Sequence, residues 1–489
     1  MNKKTVMALG ASWLALTGAA YAEQAPSLTP AEREARIQAL EQRLQDLETQ
    51  LSDLKESTSA DSADIRRLQT DAVQVTVNNG RPQFATSDGA FKVALRGLFQ
   101  YDVAHYDEDN TFSNAQVTDG ALRDFNSGAN FRRARIGIEG TAFSVWNYAL
   151  TYEQGGSGRE TVDNGLQQAW VEYAGWKPFG LTDPVRFRGG AFAVENTLEG
   201  ATNNTDSLFL ERASIAEIVR STFGGDGRYA FGVYANGDRL SVSGVLTGSR
   251  IADNTTNDEQ EGFVTRVGWL PLRGENFGVH IGANYSAITQ LPGNAPNSIT
   301  FSDRPELRVD GTTLISANLG AGAESARAYG LELGGQFGRF YVAGEYLTID
   351  VERTGVLSDP SLEGYYVQGS WVLTGEKRAW NRVSGGFGGI RPTNNFDLST
   401  GKWGAWEIAA RYSFADLNDN EGAAGIAAGA NNIRGGEQTI TSLGLNWYPN
   451  SVVRFLLQAQ DVDVERLGAT GVQIGQDYNS LALRTQVSF

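Results

Sequence analysis

The 489-residue sequence predicts an all-β fold: a 16-stranded antiparallel transmembrane β-barrel with a short N-terminal α-helical coiled coil. Three observations predict it. Past residue 73, segments of about ten residues alternate between apolar and polar or small side chains, with turns or Asn/Asp/Gly stretches between them. The composition fits a large, turn-rich β-structure: Gly is 58 of 489, about 12% against a usual ~7%, with 17 Tyr, 23 Phe and 10 Trp. The chain also opens with the pattern of an export signal and closes on an alternating strand that ends in Phe489.

Composition excludes several classes of function. Past the N-terminus no apolar run approaches the ~18 residues of a transmembrane helix, so a helical membrane protein is excluded. There is no Cys, which removes disulfides, thiolate metal sites and cysteine nucleophiles. A formal net charge of −16 argues against nucleic acid as a partner. Two His and two Met leave few ligands for a transition metal, and no cofactor is implied.

Taken in chain order, residues 1–22 read as a signal peptide. Lys3 and Lys4 form the basic start, residues 6–18 the apolar stretch, and Ala20-Tyr21-Ala22 the cleavage pattern, so the mature chain starts at Glu23. Residues 23–72 read as a periplasmic coiled coil and linker. Ile37, Leu40, Leu44, Leu47, Leu51 and Leu54 recur at alternating spacings of three and four, with Ile37, Leu44 and Leu51 at a and Leu40, Leu47 and Leu54 at d. Arg36 and Arg43 at g face Glu41 and Glu48 at e in a parallel neighbour. Residues 73–489 read as the outer-membrane barrel. In residues 91–102 one face carries Val93, Leu95, Phe99 and Tyr101, and the other Lys92, Arg96, Gln100 and Asp102, interrupted by Leu98. Residues 133–139, 148–153, 263–269, 279–285, 406–412 and 481–489 alternate in the same way. Sixteen or seventeen candidate strands are countable, closed bacterial barrels use even numbers, and sixteen is expected. A barrel that wide leaves an aqueous lumen.

Strand parity turns many arginines inward: Arg96, Arg133, Arg135, Arg186, Arg188, Arg266, Arg411, Arg454 and Arg484. Arginine holds its charge at any relevant pH and grips oxyanions with two donors, so a lumen lined by it favours anions. Inward Glu139, Glu153, Glu172, Glu332, Glu345 and Glu407 are candidate partners that would neutralise these arginines. On the residues alone, an anion-preferring pore and a charge-balanced diffusion pore both stand.

Several stretches then carry a family pattern: Phe131-Arg132-Arg133-Ala134-Arg135, residues 208–212 ending in Leu210-Glu211-Arg212, residues 371–376, residues 404–413 and residues 443–448. From about residue 90 to 489 the chain resembles the phosphate- and pyrophosphate-selective porin family, the O and P porins of the outer membrane. The resemblance implies a homotrimer of sixteen-stranded barrels in the outer membrane of a Gram-negative bacterium, in contact with its lipid, whose third extracellular loop folds inward to form a constriction. It implies passive diffusion of small anions such as phosphate. Residue by residue, Arg132 and Arg133 match the paired arginines of the second strand, Arg212 the arginine closing the constriction segment, and Arg266 a further lining arginine. With Arg96, Arg135, Arg411, Asn203 and Asn204, these form the expected anion-binding set. The phosphate-selective members place a lysine at the position of Gly200, paired serines at Asn203 and Asn204, an arginine at Leu98 and an acid near Gln167. Losing Lys and Arg weakens an anion site, and losing the acid partly offsets that.

Other functions find little support in the residues. His105 and His280 have no G-x-S-x-G elbow beside them, so no hydrolase site is expected. Gly224-Gly225-Asp226-Gly227 and residues 385–389 lack the following Lys-Ser/Thr of a phosphate loop and read as turns. Residues 253–261 read as a solvated loop rather than a calcium site. A weakly selective diffusion porin and a structural trimeric envelope tether remain the alternative functions.

Overall fold

The structure is a computed structural model. It describes residues 29–71, 73–78, 80–108, 124–156, 165–251, 253, 258–292, 299–320 and 322–489. The expected signal peptide lies outside the described residues, as do residues 254–257 of the loop at 253–261. Two compact units meet at residues 72 and 73. The first carries one 42-residue helix, Pro30–Asp71. Thr29 caps it in a capping box: the Glu32 backbone N–H donates to Thr29 Oγ1 at 3.3 Å, and Glu32 Oε2 accepts from the Thr29 backbone N–H at 2.9 Å. Pro30 takes the first helical position, where its missing N–H costs nothing. The six apolar residues at a and d are all exposed on the single chain.

The second unit is the barrel. A hairpin of β1 (Gln74–Asn78) and β2 (Arg81–Ala85) leads into β3 (Lys92–Glu108), β4 (Gly128–Ala142), β5 (Trp146–Glu153) and β6 (Gly165–Trp176). There follow β7 (Val185–Val194), β8 (Gly225–Asn236), β9 (Leu240–Arg250), β10 (Glu261–Arg273) and β11 (Phe277–Gln290). The small strands β12 (Thr300–Asp303) and β13 (Ile315–Asn318) pair only with each other. The wall continues with β14 (Ala323–Phe337), β15 (Phe340–Arg353) and β16 (Ser361–Val372). After a second minor hairpin, β17 (Trp380–Asn381) and β18 (Gly386–Phe387), it ends with β19 (Ala405–Asp419), β20 (Ile433–Tyr448), β21 (Val453–Glu465) and β22 (Tyr478–Ser488). Without the three hairpins the wall has sixteen antiparallel strands, and β22 pairs with β3 to close it. Closure removes the free sheet edge, whose unpaired groups would each cost several kcal/mol in hydrocarbon.

Phe489 completes the seam. Its backbone exchanges hydrogen bonds of 2.9 and 3.0 Å with Gly97, and its ring lies where a Cβ of residue 97 would stand. Outward side chains form an apolar band edged by aromatic pairs. Trp406–Trp447, Trp447–Phe455 and Phe340–Trp371 stack near the short-turn end, and Tyr285–Tyr329 and Tyr365–Phe414 lie toward the other.

The wide open lumen expected from strand number is not what forms. Three connections fold inside and fill much of it. Residues 195–224, between β7 and β8, contribute the helix Ser214–Phe223. The β12–β13 hairpin enters from the same, long-loop end, and residues 373–404, with β17 and β18, enter from the short-turn end. Ile215, Ile218, Phe223, Phe301 and Ile315 pack against inward Ala326, Leu347, Ile349, Leu417 and Ile440 as a dry core. Leu198, Phe209, Phe387 and Tyr341 make a second core nearer the short turns. The physical reason lies in the small or apolar inward residues of β14–β22: a wall facing water offers them no burial, and the folded-in segments supply it.

Candidate permeation pathway

What remains open runs along the wall of β3–β6. Two cavities follow one another, of about 390 Å³ on the long-loop side and about 560 Å³ on the short-turn side. Arg135, Gln167, Arg220 and Asp226 line both and so define the neck between them.

The wall is built for this by two slips in its ladder. Gln100 faces Arg133 but Tyr101 faces Phe131, so Arg132 is an extra residue in β4. Strict alternation would send one of two consecutive arginines into lipid. The bulge turns both inward, with Phe131 left outside against Tyr101 at 5.2 Å between ring centroids. In β6 a second slip sets Thr151 opposite Gln168 and Tyr152 opposite Leu166, so Gln167 and Gln168 both face the lumen.

On the long-loop side, Arg132 grips Glu211 with two donors at 2.8 and 3.2 Å. Arg133 donates to Gln100 Oε1 at 2.7 Å and lies 3.7 Å from Glu211, while its buried Nε has no hydrogen-bond partner. Burial alone would raise the pKa of Glu211, but Arg132, Arg133, Arg484 and Arg308 outweigh it and hold the carboxyl well below the usual range. Arg308 and Arg250 add further positive charge to this cavity. At the neck, Arg135 pairs with Glu153 and stands 3.5 Å from Asp226, and Arg220 donates to Asp226 at 2.5 Å.

Arg96, Arg212, Asn203 and Asn204 line the short-turn cavity. Arg96 donates to Glu139 at 2.9 Å. Arg212 donates to the Glu199 carbonyl at 3.1 Å, to Glu217 at 3.3 Å and to Asn204 Oδ1. Thr197 caps the one-turn helix Leu198–Ala201 by accepting from the Gly200 backbone N–H at 2.8 Å, which fixes the segment carrying Asn203 and Asn204. Arg188 lies flat over Trp170 at 4.3 Å and donates twice to Glu172. Arg391, from the folded-in short turn, also faces this cavity.

Arg266 and Arg411 turn inward, as parity expects, but neither lines a cavity. Arg266 donates twice to Glu332 at 2.7 Å and to the carbonyls of Ser384 and Gly385 at 2.6 and 2.9 Å. Arg411 lies over the Phe209 ring, pairs with Glu306 and donates to the Glu211 carbonyl at 3.0 Å. Folded-in segments cover both, and their donors tie those segments to the wall. Arg454, through the Ser207 carbonyl, and Arg484, through the Leu210 carbonyl and Glu211, do the same. Alternation assigns a side chain to the lumen but is silent on what else occupies that lumen. Seven lining arginines were not in the expected anion-binding set: Arg81, Arg188, Arg220, Arg250, Arg304, Arg308 and Arg391. His280 is buried against Glu332 and accepts from the Trp380 indole N–H at 3.2 Å, which makes it a packing residue.

A closed sixteen-stranded barrel with an apolar outside, a polar pathway and connections folded in to narrow it is the architecture of an outer-membrane porin. Residues 91–489 match the family model described as phosphate-selective porin O and P, and the chain belongs to that family. It is 26% identical over 410 residues to Porin O of Pseudomonas aeruginosa, covering 79% of this chain and 86% of that one. It is also 26% identical over 418 residues to an uncharacterised protein of Caulobacter vibrioides, covering 84% and 76%. Among solved structures, OmpT of Vibrio cholerae aligns with 82% of this chain and 98% of its own, at 12% identity and a TM-score of 0.46.

Proposed function

We propose that this porin passes small oxyanions, phosphate among them, along the two arginine-lined cavities and through the neck at Arg135 and Arg220. The neck carries the reading: Arg135 and Arg220 line both cavities, so an anion moving from one to the other meets both guanidiniums. Arg133 supports it as a charged residue on the lining of the long-loop cavity. Arg96, Arg132, Arg212, Asn203 and Asn204 extend a series of weak sites on either side. Such a series admits an anion without trapping it. Residues 1–22 act as the export signal. Residues 23–72 form a periplasmic coiled coil that holds three barrels together by its exposed heptad stripe, and lipid covers the outward apolar band. Family membership supports the phosphate assignment, and the chain's own Gly200 and Leu98 predict weaker selectivity than a full arginine and lysine set would give.

The test is the zero-current potential of the purified protein in a planar bilayer under a KCl gradient, followed by phosphate titration of the chloride current. A potential near chloride equilibrium with block by phosphate is expected. A potential near zero or on the potassium side, without block, would mean that the lumen carboxylates neutralise the arginines and the protein is a general diffusion pore.

A further inference from the structure

The neck contains an acid that the family pattern does not place there. Asp226 Oδ1 accepts from Arg220 Nη2 at 2.5 Å, and its Oδ2 lies 3.5 Å from Arg135 Nη2. One carboxylate therefore spans both arginines of the narrowest passage, with an oxygen toward each, as a passing oxyanion would. Gln167, where an acid is expected from the resemblance, is uncharged and lines the same neck. The backbone around Asp226 is also unusual. It stands between Gly225 (φ +84°) and Gly227 (φ +63°), a conformation that side chains other than glycine's rarely adopt. The side chain is partly exposed to both cavities, unlike the sealed Glu211.

We propose that Asp226 is an internal counter-ion that occupies the anion site of the neck and yields it to each passing oxyanion. This rests on the anion-pore reading and adds the residue that sets how tightly the neck holds an anion. Without Asp226, Arg135 would keep Glu153 and Arg220 would keep Glu217, but the face that the two arginines share would hold a dianion longer. With Asp226 present, an entering oxyanion replaces one carboxylate–guanidinium contact by another of similar kind, so the net gain is small and release is fast. A phosphate can match the two contacts that Asp226 gives up. Chloride, a single point charge, cannot satisfy both arginines together. The carboxylate keeps the well shallow by competing with each entering anion for the two guanidiniums.

The experiment compares the native full-length protein with Asp226→Asn and Asp226→Ser in planar bilayers. Zero-current potential is read in a KCl gradient, and chloride-current block is read with inorganic phosphate. Both neutral variants are expected to move the potential further toward chloride. They are also expected to lower the half-blocking phosphate concentration about tenfold, as removal of a competing charge some 3–4 Å away would. Asp226→Glu, which keeps the charge, is expected to stay near the native values and shows that the site tolerates change. If the native protein is anion-selective and phosphate-blocked while the neutral variants match it in both readings, Asp226 is no counter-ion and the anion-pore reading stands. If the native protein shows neither selectivity nor block, that reading and this proposal both fail.

Discussion

Arg133 and Arg266 are both inward arginines, yet the structure assigns them different work. Arg133 stands on the lining of an open cavity, held by Gln100 and near Glu211, whereas every side of Arg266 is taken by Glu332 and two carbonyls away from either cavity. Arg133→Ala is expected to reduce anion preference in reversal-potential measurements with little change in thermal stability. Arg266→Ala is expected to leave selectivity unchanged and to cost about 3–5 kcal/mol, because it strands Glu332 as a buried unpaired charge; denaturant unfolding in detergent measures this. Glu211 makes a pH prediction. Its folded pKa is depressed, so the stability it contributes is present above the ordinary glutamate value of about 4.3 and is lost only as pH falls through the lower folded value. Selectivity is therefore expected to hold between pH 7 and about 4.5. A rise in anion preference near pH 5 would show that the arginines do not hold it ionised, since protonation removes a negative charge from the pathway. The arginines' inward direction was legible in alternation. Whether each is free or clamped was not, because their partners come from segments 60 to 250 residues distant in sequence.

At the scale of elements, strand identity was the most legible feature. Each quoted alternating segment lies in a barrel strand: residues 133–139 in β4, 263–269 in β10, 406–412 in β19 and 481–489 in β22 with its closing residue. The bulges were not legible. Arg132-Arg133 and Gln167-Gln168 break the period, and only the partner strand's register shows that both members of each pair face inward. The short turn at 373–404 was equally hidden, since its length gives no sign of direction. Arg378 anchors it, donating to both oxygens of Glu407 at 2.8 and 2.9 Å and to the Asp206 carbonyl at 2.6 Å. Deleting residues 380–388 is expected to raise single-channel conductance and weaken phosphate block, since the short-turn cavity loses one wall. Unchanged conductance would mean that the neck alone limits the current. The N-terminal helix makes a separate prediction. Replacing Leu44 and Leu51 with Asp is expected to lower the temperature at which oligomers dissociate on semi-native gels, with conductance per barrel unaltered.

At the scale of the whole molecule, the expected fold class, strand number and membrane location follow from properties repeated along the chain: a period of two, an apolar outer face and a sealed seam. Repetition makes such signals cumulative. The pathway has no such redundancy. It depends on four residues at one neck, drawn from β4, β6, β8 and a folded-in helix, and no periodic pattern links them. Family resemblance pointed to the inward third loop, and the structure gives that loop two companions, one from the opposite end of the barrel.

The filled half of the lumen also separates the girth of this barrel from the size of solute it can admit. Sixteen strands set the circumference, but the wall beneath β14–β22 is occupied by packed side chains, and solutes see only the strip beside β3–β6. Adding or removing strands would leave the cut-off nearly untouched. Loosening one clamp, such as Arg378 on Glu407 or Arg484 on Glu211, would change it abruptly by freeing a whole segment. For a protein of this build, sieving is governed by how firmly its interior is fastened, and larger solutes would gain entry through failures of anchorage.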